Sequence, residues 1–205
     1  MREKWLKWAT EIQSIAQAGL AYSKDKYDLE RFEQLLDLSA EIISEYKDVE
    51  LKPVQELVRK EEGYLTPKVD VRGAIIKDNK ILLAKESIDG CWSLPGGWAD
   101  VNLSVAENIK KEAREEAGAI VEPKRIIAVL DRNRHNTPIS IQSIYKIFVL
   151  CDYIEGSFKE NIETEECGFF ALDELPPLST GRNNKEQIEM CFRAYEDENL
   201  KVIFD

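Results

Sequence analysis

The sequence predicts a mixed α/β domain preceded by a small all-helical domain. Three observations support this fold class. Residues 1 to about 62 carry apolar side chains at helical spacing, whereas strand-like segments and helical segments follow one another from Pro67 onward. Gly63 and Pro67 interrupt the helical pattern within EEGYLTP. We therefore place the two domains at residues 1–63 and 67–205.

Three helices are predicted in the first domain. Apolar residues recur at helical spacing in the first two, at Trp5, Trp8, Ile12, Ile15 and Leu20, and at Leu29, Phe32, Leu36, Ile43 and Tyr46. Pro53 suits the first turn of a third helix. These apolar stripes are larger than three short helices need, so we expect Trp5 and Trp8 to lie in the core or in a dimer interface.

Composition excludes several classes of function. The 205 residues carry a formal net charge of −11, and residues 1–63 hold ten basic against fourteen acidic side chains, which argues against duplex DNA as a partner. No run reaches the ~20 apolar residues of a membrane span, and MREKWLKWATEIQ lacks the apolar core of a signal peptide. We expect a cytoplasmic protein with no membrane partner. Four scattered cysteines and one histidine do not predict a zinc site.

The second domain begins with strand-like segments. VDVRGAII and KILLAKES are joined by the turn-formers Asp78 and Asn79. RIIAVL, SIYKIFVLCDYI and CGFFALDEL predict further strands, and NKEQIEMCFRAYEDE predicts a closing helix. LDRNRHNTP, between two of the strands, is predicted to be a connecting loop.

A glutamate-rich helix lies in the middle of this domain. Ser104 and Glu107 form a capping-box signature, and Gly118 is a natural helix end, so the helix is predicted from about Val105 to Ala117. Glu112, Glu115 and Glu116 then fall within roughly 100° of one another around the helix axis. Lys110, Lys111 and Arg114 are predicted to face elsewhere.

These three carboxylates have two interpretations. Like charges this close repel one another, and a bound divalent cation would remove that penalty. Mg²⁺ prefers oxygen ligands and keeps several waters, so it suits such a cluster, with Mn²⁺ as a substitute. The alternative is a solvated charged face, which is common in a chain of which 33% is charged.

The residues around the helix resemble a known family. GG…EAREEAG resembles the Nudix box, G-x5-E-x7-R-E-U-x-E-E-x-G-U with U aliphatic. Gly97, Glu112, Glu115, Glu116 and Gly118 match its fixed positions. WSLPGG before the box and FFALDELPPLS near the end are similar to the family's flanking segments.

Two positions depart from that pattern. The first glutamate of the box is Leu103 here, and the arginine is Lys111. In the family these two residues typically form a salt bridge that braces the loop against the helix. Both partners differ together, so no buried charge need be left without its partner. The departures bear on loop geometry more than on the carboxylates that would hold metal.

The resemblance implies a fold and a reaction. The family fold is an α/β/α sandwich with a mixed sheet, covering residues 67–205. The helical N-terminal domain, together with GGWADV, is similar to the subgroup of CDP-choline pyrophosphatase-type enzymes, which hydrolyse X-linked nucleoside diphosphates. This implies a homodimer whose N-terminal helices help to shape the active site. The expected substrate is CDP-choline, and ADP-ribose or a nucleotide sugar is the alternative.

Site residues follow from the resemblance and from the local pattern. Metal ligands are expected at Glu112, Glu115, Glu116 and Gly96. The general base is expected among Glu115, Glu163 and Glu166, although NIETEECGFF also suits a solvated acidic loop. Substrate contacts are expected from Arg72, Lys68, Gly97, Trp98 and Arg132. Arg72 and Lys68 share one side of a strand, where a surface salt bridge is the simpler explanation; Trp98 could equally be a packing residue.

Two other functions remain open from the sequence. The same metal site could cut an RNA 3′ end, although the acidic composition disfavours it. A nucleotide-sensing Nudix-like module that binds without cutting is also possible, but such modules commonly lose box carboxylates and Glu112, Glu115 and Glu116 are all present.

Overall fold

The chain forms two compact units. The computed structural model describes residues 4–205, with one unit ending at Pro67 and the other spanning Lys68 to Asp205. Helix content in the first unit and a mixed sheet with helices in the second confirm the α/β fold class. Within residues 4–205, no helix is both long and apolar enough to cross a membrane.

The first unit is built from three helices, α1 (Lys4–Tyr22), α2 (Lys26–Lys47) and α3 (Leu51–Arg59). Asp25 caps α2 by accepting from the backbone N–H groups of Tyr27 and Asp28, and Asp48 ends it in the left-handed conformation. Pro53 lies in the first turn of α3, as predicted. The core consists of Leu6, Ala9, Ala16, Leu36, Ala40, Ile43, Val54 and Val58.

The buried face of α1 includes two glutamines, Gln13 and Gln17, and not all of its apolar residues. Gln17 is buried and donates from Nε2 to the carbonyl oxygens of Val58 and Glu61, both at 2.8 Å. This places the neighbouring stripe toward solvent, so Trp8 is 58% exposed and Ile15 is 59% exposed. Trp5 is half-buried and stacks on Tyr46 with ring centroids 5.2 Å apart. Of the two tryptophans, Trp8 is therefore not a core residue of this unit.

The second unit is a seven-stranded mixed sheet between helices. Its strands are β1 (Lys68–Lys77), β2 (Lys80–Glu86), β3 (Trp92–Ser93), β4 (Ala119–Asp131), β5 (Ile144–Gly156), β6 (Thr164–Phe170) and β7 (Ile203–Phe204). The order is β3-β2-β1-β5-β4-β7, and β6 also pairs with β2. β1 runs parallel to β5 and antiparallel to β2, and Asp78 and Asn79 form the predicted turn with positive φ.

Helices cover both faces of this sheet. α4 (Val105–Ala117) buries Ile109, Ala113 and Ala117 against one face, and α6 (Lys185–Glu196) buries Ile188 and Phe192 against the other. This arrangement is the predicted α/β/α sandwich. Two local predictions were wrong: LDRNRHNTP contains a one-turn helix, α5 (Arg132–His135), and β4 begins directly after α4 rather than near Arg125.

The cysteines are free thiols among the described residues. Cys91 and Cys167 are half-buried, and Cys151 and Cys191 are fully buried in the two layers of the core. Burial raises the pKa of the Cys151 and Cys167 thiols to about 12 and raises the pKa of Cys191 further still. These thiols are protonated at neutral pH.

Candidate active site

Local sequence signals set the position of α4. Ser104 accepts from the backbone N–H of Glu107, and the Glu107 carboxylate accepts from the backbone N–H of Ser104, which completes the predicted capping box. Gly118 ends the helix at φ 61°. The helix therefore has the predicted bounds, and its glutamates fall on a fixed face.

The three box glutamates differ in exposure. Glu112 is 8% exposed and Glu116 is 7% exposed, whereas the Glu115 side chain is 52% exposed. Burial raises the pKa of Glu116 to about 8, and the neighbouring charges of Glu86 and Glu112 act in the same direction. Burial also raises the pKa of Glu112. Two of these carboxylates are thus buried acids that gain from a nearby cation.

Gly96 fixes one of these carboxylates. Its backbone N–H donates to Glu116 Oε2 at 2.8 Å. Gly96 has φ 144°, and a Cβ on it would lie 2.0 Å from the carbonyl oxygen of Val71. Only glycine permits this close approach of the loop to β1. The glycine at position 96 therefore allows its backbone N–H to point toward Glu116 on α4.

Lys111 faces the carboxylates, contrary to the prediction that it faces elsewhere. Its Nζ lies 3.0 Å from Asp100, 3.1 Å from Glu115 and 3.3 Å from Glu112. The long lysine side chain reaches back across the helix surface, which a wheel of Cα positions does not capture. These carboxylates raise the pKa of Lys111, with Asp100 and Glu115 contributing most.

A buried charged group lies on the adjacent strands. Arg72 donates from Nε and Nη2 to the two carboxylate oxygens of Asp70, at 2.9 and 2.7 Å, and from Nη1 to the Leu94 carbonyl at 3.1 Å. Asp70 is paired in register with Lys146 on β5, whose Nζ lies 3.4 Å from Asp70 Oδ1 and also donates to the Arg182 carbonyl. All three side chains are buried.

These groups surround one cavity of about 610 Å³. Its acidic lining consists of Glu86, Glu112, Glu115, Glu116 and Glu163, together with Asp70. Its basic lining consists of Arg72, Lys111, Arg132, Lys146 and Arg182. The cavity is therefore lined by both acidic and basic side chains, with a small excess of acidic ones.

Most of the predicted site residues line this cavity. Besides the three box glutamates, Glu163, Gly96, Gly97, Trp98, Arg72 and Arg132 are part of its wall. Glu166 and Lys68 are not. Glu166 is exposed on β6 opposite Lys85, and Lys68 is exposed at the start of β1.

Besides Lys111, four charged lining residues were missed from the sequence, namely Asp70, Glu86, Lys146 and Arg182. Glu86 accepts from Ser93 Oγ at 2.5 Å and pairs with Arg182 at 3.0 Å. Lys146 is the one charged residue between Ile144 and Cys151 of β5, and a charge in the buried part of a strand is itself a signal of a functional site. Finding its partners required the parallel pairing of β1 and β5.

The donor set suits a divalent metal, although the side chains are not gathered around one point. Within residues 4–205, no group of three or more His, Cys, Asp or Glu side chains is arranged to hold a metal ion, and Lys111 Nζ lies close to two of the box glutamates. Glu112, Glu115 and Glu116 nevertheless offer only oxygen donors, and burial disfavours ionisation of two of them. Carboxylate oxygens are the ligands that Mg²⁺ and Mn²⁺ select, and a bound cation would favour the ionised form of these buried acids.

Comparisons with known proteins agree with this geometry. Residues 67–191 match the family model of the NUDIX domain, and residues 3–58 match that of a UDP-X-like, N-terminal oligomerisation domain. The chain is 46% identical over its full length to 99% of "Putative ADP-ribose pyrophosphatase YjhB" of Bacillus subtilis (strain 168).

Solved structures show the same relationship. An ADP-ribose pyrophosphatase of Streptococcus suis 89-1591 is 47% identical, with a TM-score of 0.64 over 68% of this chain and 100% of that chain. A UDP-X diphosphatase is 35% identical, with a TM-score of 0.64 over 99% of this chain and 100% of that chain. With a family model that spans more than half of its length and a relative that matches throughout, this chain belongs to the NUDIX family and is a hydrolase of pyrophosphate bonds.

Proposed function

We propose that this protein hydrolyses the diphosphate bond of a nucleoside diphosphate linked to a second moiety, in a reaction that depends on a divalent metal. The observation that carries the proposal is the cavity in which the glutamates of α4 lie with Arg72 of β1, Lys146 of β5, Arg132 of α5 and Arg182 before α6. The products are a nucleoside monophosphate and the phosphorylated second moiety.

The charge in the cavity supports the metal requirement. Arg72 and Lys146 are already paired with Asp70, and Arg182 is paired with Glu86. A diphosphate adds further negative charge to a cavity that already has an acidic excess. Cations must therefore accompany the substrate if it is to bind beside Glu112 and Glu116.

We assign the metal to Glu112, Glu115 and Glu116, with backbone groups at Gly96. Bound there, Mg²⁺ or Mn²⁺ would polarise the phosphate oxygens and lower the pKa of an attacking water. Glu116 is held in place by the Gly96 N–H, so this carboxylate needs little reorganisation to act as a ligand.

We assign the general base to Glu163, with Glu115 as the other candidate. Glu163 lines the cavity from the loop before β6, and that loop is tied down at both sides. Its backbone N–H donates to Asn161 Oδ1 at 3.0 Å, and its carbonyl accepts from the Ser87 N–H at 2.9 Å. Asn161 in turn donates to the carbonyl of Glu115 at 3.0 Å, which links the loop to α4. Glu166 does not line the cavity.

ADP-ribose is our first candidate substrate, and CDP-choline is the second. The names of two relatives, at 46% and 47% identity, favour ADP-ribose. The full-length similarity to a UDP-X diphosphatase keeps other nucleoside diphosphate derivatives in the test. Trp98 is 52% exposed at the cavity and offers a ring on which a base could stack, and Arg132 offers a charge.

We also propose that the first unit forms a homodimer. Trp8, Ile15 and Tyr22 are spaced by seven residues on α1, so they share one face, and they are 58%, 59% and 71% exposed. An exposed apolar stripe of this kind is typical of a protein interface. The match of residues 3–58 to an oligomerisation domain supports a second copy of this chain as the partner.

The test is hydrolysis of a substrate panel. The purified chain is incubated with Mg²⁺ and ADP-ribose, CDP-choline or UDP-glucose, and the products are identified by chromatography. We expect paired monophosphates, and we expect Glu115→Gln and Glu116→Gln each to lower kcat at least about 100-fold.

Glu122→Gln is the matched control, because this glutamate pairs with Lys110 on the surface, at 2.7 Å, and does not line the cavity. We expect it to keep the parent activity. Full activity of both Glu115→Gln and Glu116→Gln would refute the assigned metal site, and hydrolysis that is unchanged in excess EDTA would refute the metal requirement.

A further inference from the structure

We propose that the carboxylate that braces the glycine loop against α4 has moved from position 103 to Asp100, where it pairs with Lys111 at the box's arginine position, and that Lys111 is a positioning residue for Glu112 and Glu115. This inference rests on the proposed function. It assigns a role to Asp100, which the sequence pattern leaves without one, and a second contact to Lys111, with the glutamates of the cavity wall.

The first step concerns the loop between Gly97 and α4. The family pattern places its bracing carboxylate at position 103, but Leu103 is apolar and 39% exposed here. Asp100, three residues earlier, lies 3.0 Å from Lys111 Nζ. A carboxylate on the same loop thus reaches the cation at position 111 from a different place.

A buried asparagine holds Asp100 at that place. Asn108 is 1% exposed and accepts from the Asp100 N–H through Oδ1 at 2.8 Å. Its Nδ2 donates to the carbonyls of Leu103 and Ser104, at 3.2 and 3.0 Å. One side chain from α4 therefore holds both ends of the segment 100–104. This conformation of the loop places the Asp100 carboxylate beside Lys111.

The second step concerns the far side of Lys111. The same ammonium lies 3.1 Å from Glu115 and 3.3 Å from Glu112. One cation thus joins the loop carboxylate to two glutamates of the cavity wall. Asp100 is half-exposed, and ion pairs of this exposure contribute little to stability. We therefore expect these ion pairs to position Glu112 and Glu115 and to contribute little to the stability of the fold.

The test is a rescue experiment with Asp100→Ala, Lys111→Ala and the double variant. We expect each single change to lower kcat about 10-fold with a much smaller change in KM, as is usual for groups that orient metal ligands. The double variant should lose no more than the worse single variant, because both changes break one link. Adding Leu103→Glu to Asp100→Ala restores a carboxylate at the usual position, and we expect it to recover most of the lost kcat.

The split between kcat and KM and the rescue by Leu103→Glu separate this role from a merely structural one, and a control variant and hydrogen exchange complete the test. Lys110→Ala is the matched control, since Lys110 is the neighbouring lysine and pairs with Glu122 outside the cavity; we expect it to keep the parent kcat. Hydrogen exchange without added metal should show faster exchange of the Asp100 and Ser104 amides in Asp100→Ala and Lys111→Ala, and parent rates in Lys110→Ala.

The outcomes distinguish the brace from the reaction. If the parent chain hydrolyses no substrate, the proposed function fails, while the exchange data still report on the brace. If the parent chain is active and both single variants keep its kcat, the positioning role is overturned. Additive losses in the double variant, or no recovery with Leu103→Glu, would equally overturn the moved brace.

Discussion

At the scale of single residues, the cavity depends on charges held in low-dielectric surroundings. Lys146 is 1% exposed beside Asp70 and Arg72. Burial and the charge of Arg72 lower the pKa of Lys146 to about 7, although Asp70 acts in the opposite direction and Arg132 adds to the lowering. The pKa of a lysine in an unfolded chain is about 10.4.

This shift predicts a stability that depends on pH. Between pH 7 and about 10 the unfolded chain holds a proton that folded Lys146 has released, so this residue favours the folded state more as the pH rises. We expect the difference in free energy of unfolding between parent and Lys146→Met to move in favour of the parent by up to about 1.4 kcal/mol per pH unit in this window. Urea unfolding from pH 6.5 to 9.5 measures it, and a difference that is flat with pH would show that Lys146 keeps its charge.

Gly96 makes a second residue-scale prediction. A Cβ there would collide with the Val71 carbonyl at 2.0 Å, whereas a Cβ at Gly90, also at positive φ, meets nothing within 4 Å. We expect Gly96→Ala to lower the free energy of unfolding by more than about 2 kcal/mol, because it adds a backbone clash to the conformational strain. Gly90→Ala should lose about 1 kcal/mol, from the strain alone. Equal losses in the two variants would show that the loop yields at Gly96.

At the scale of elements, α4 is the part of the site that the sequence predicts best. Its start, its end and the face of its glutamates follow from the capping box, the terminal glycine and helical geometry, which all act within a few residues. Lys111 was misplaced because a long side chain is not confined to the direction of its Cα. Lys146 was missed because its partner Asp70 lies 76 positions earlier and meets it only when β1 pairs with β5.

The two capping boxes of the second unit allow a matched prediction. Ser104→Ala and Asn184→Ala each remove the N-cap of a helix, α4 and α6 respectively. We expect Ser104→Ala to lower the free energy of unfolding by about 1 kcal/mol. Asn184→Ala should lower it by at least as much, because Asn184 also donates from Nδ2 to the His135 carbonyl. Only Ser104→Ala should lower kcat, because only α4 carries the proposed metal ligands. A fall in kcat of similar size in both variants would contradict that division.

At the scale of the whole molecule, the domain order and the sandwich could be predicted from the sequence. Which face of a helix is buried and which is exposed could not. The fold class follows from periodicities that act within one segment. The sequence left open whether Trp8 lies in the core or in an interface, since the buried face of α1 includes Gln13 and Gln17, which a hydrophobic pattern does not select. Packing between distant segments decides which of two adjacent faces is buried.

The exposed stripe predicts the oligomeric state. We expect the full chain to be a dimer in solution, and Ile15→Glu to shift it to the monomer because a charge would be buried at the interface. Light scattering coupled to gel filtration measures the mass. Ile120→Glu, the same change at an apolar side chain that is 47% exposed on β4 of the second unit, should remain dimeric. A monomeric parent, or a dimeric Ile15→Glu, would contradict the assigned face.

The two buried cysteines of the second unit allow its unfolding to be measured by chemical labelling. Cys151 and Cys191 are 2% and 0% exposed on opposite layers of one sheet, and both thiols are protonated at neutral pH. An alkylating reagent reacts with thiolate, so neither sulfur can be modified until the sheet separates from its helices. The rate at which these two positions are labelled, measured by mass spectrometry beside the faster labelling of Cys91, would therefore report how often the second unit unfolds.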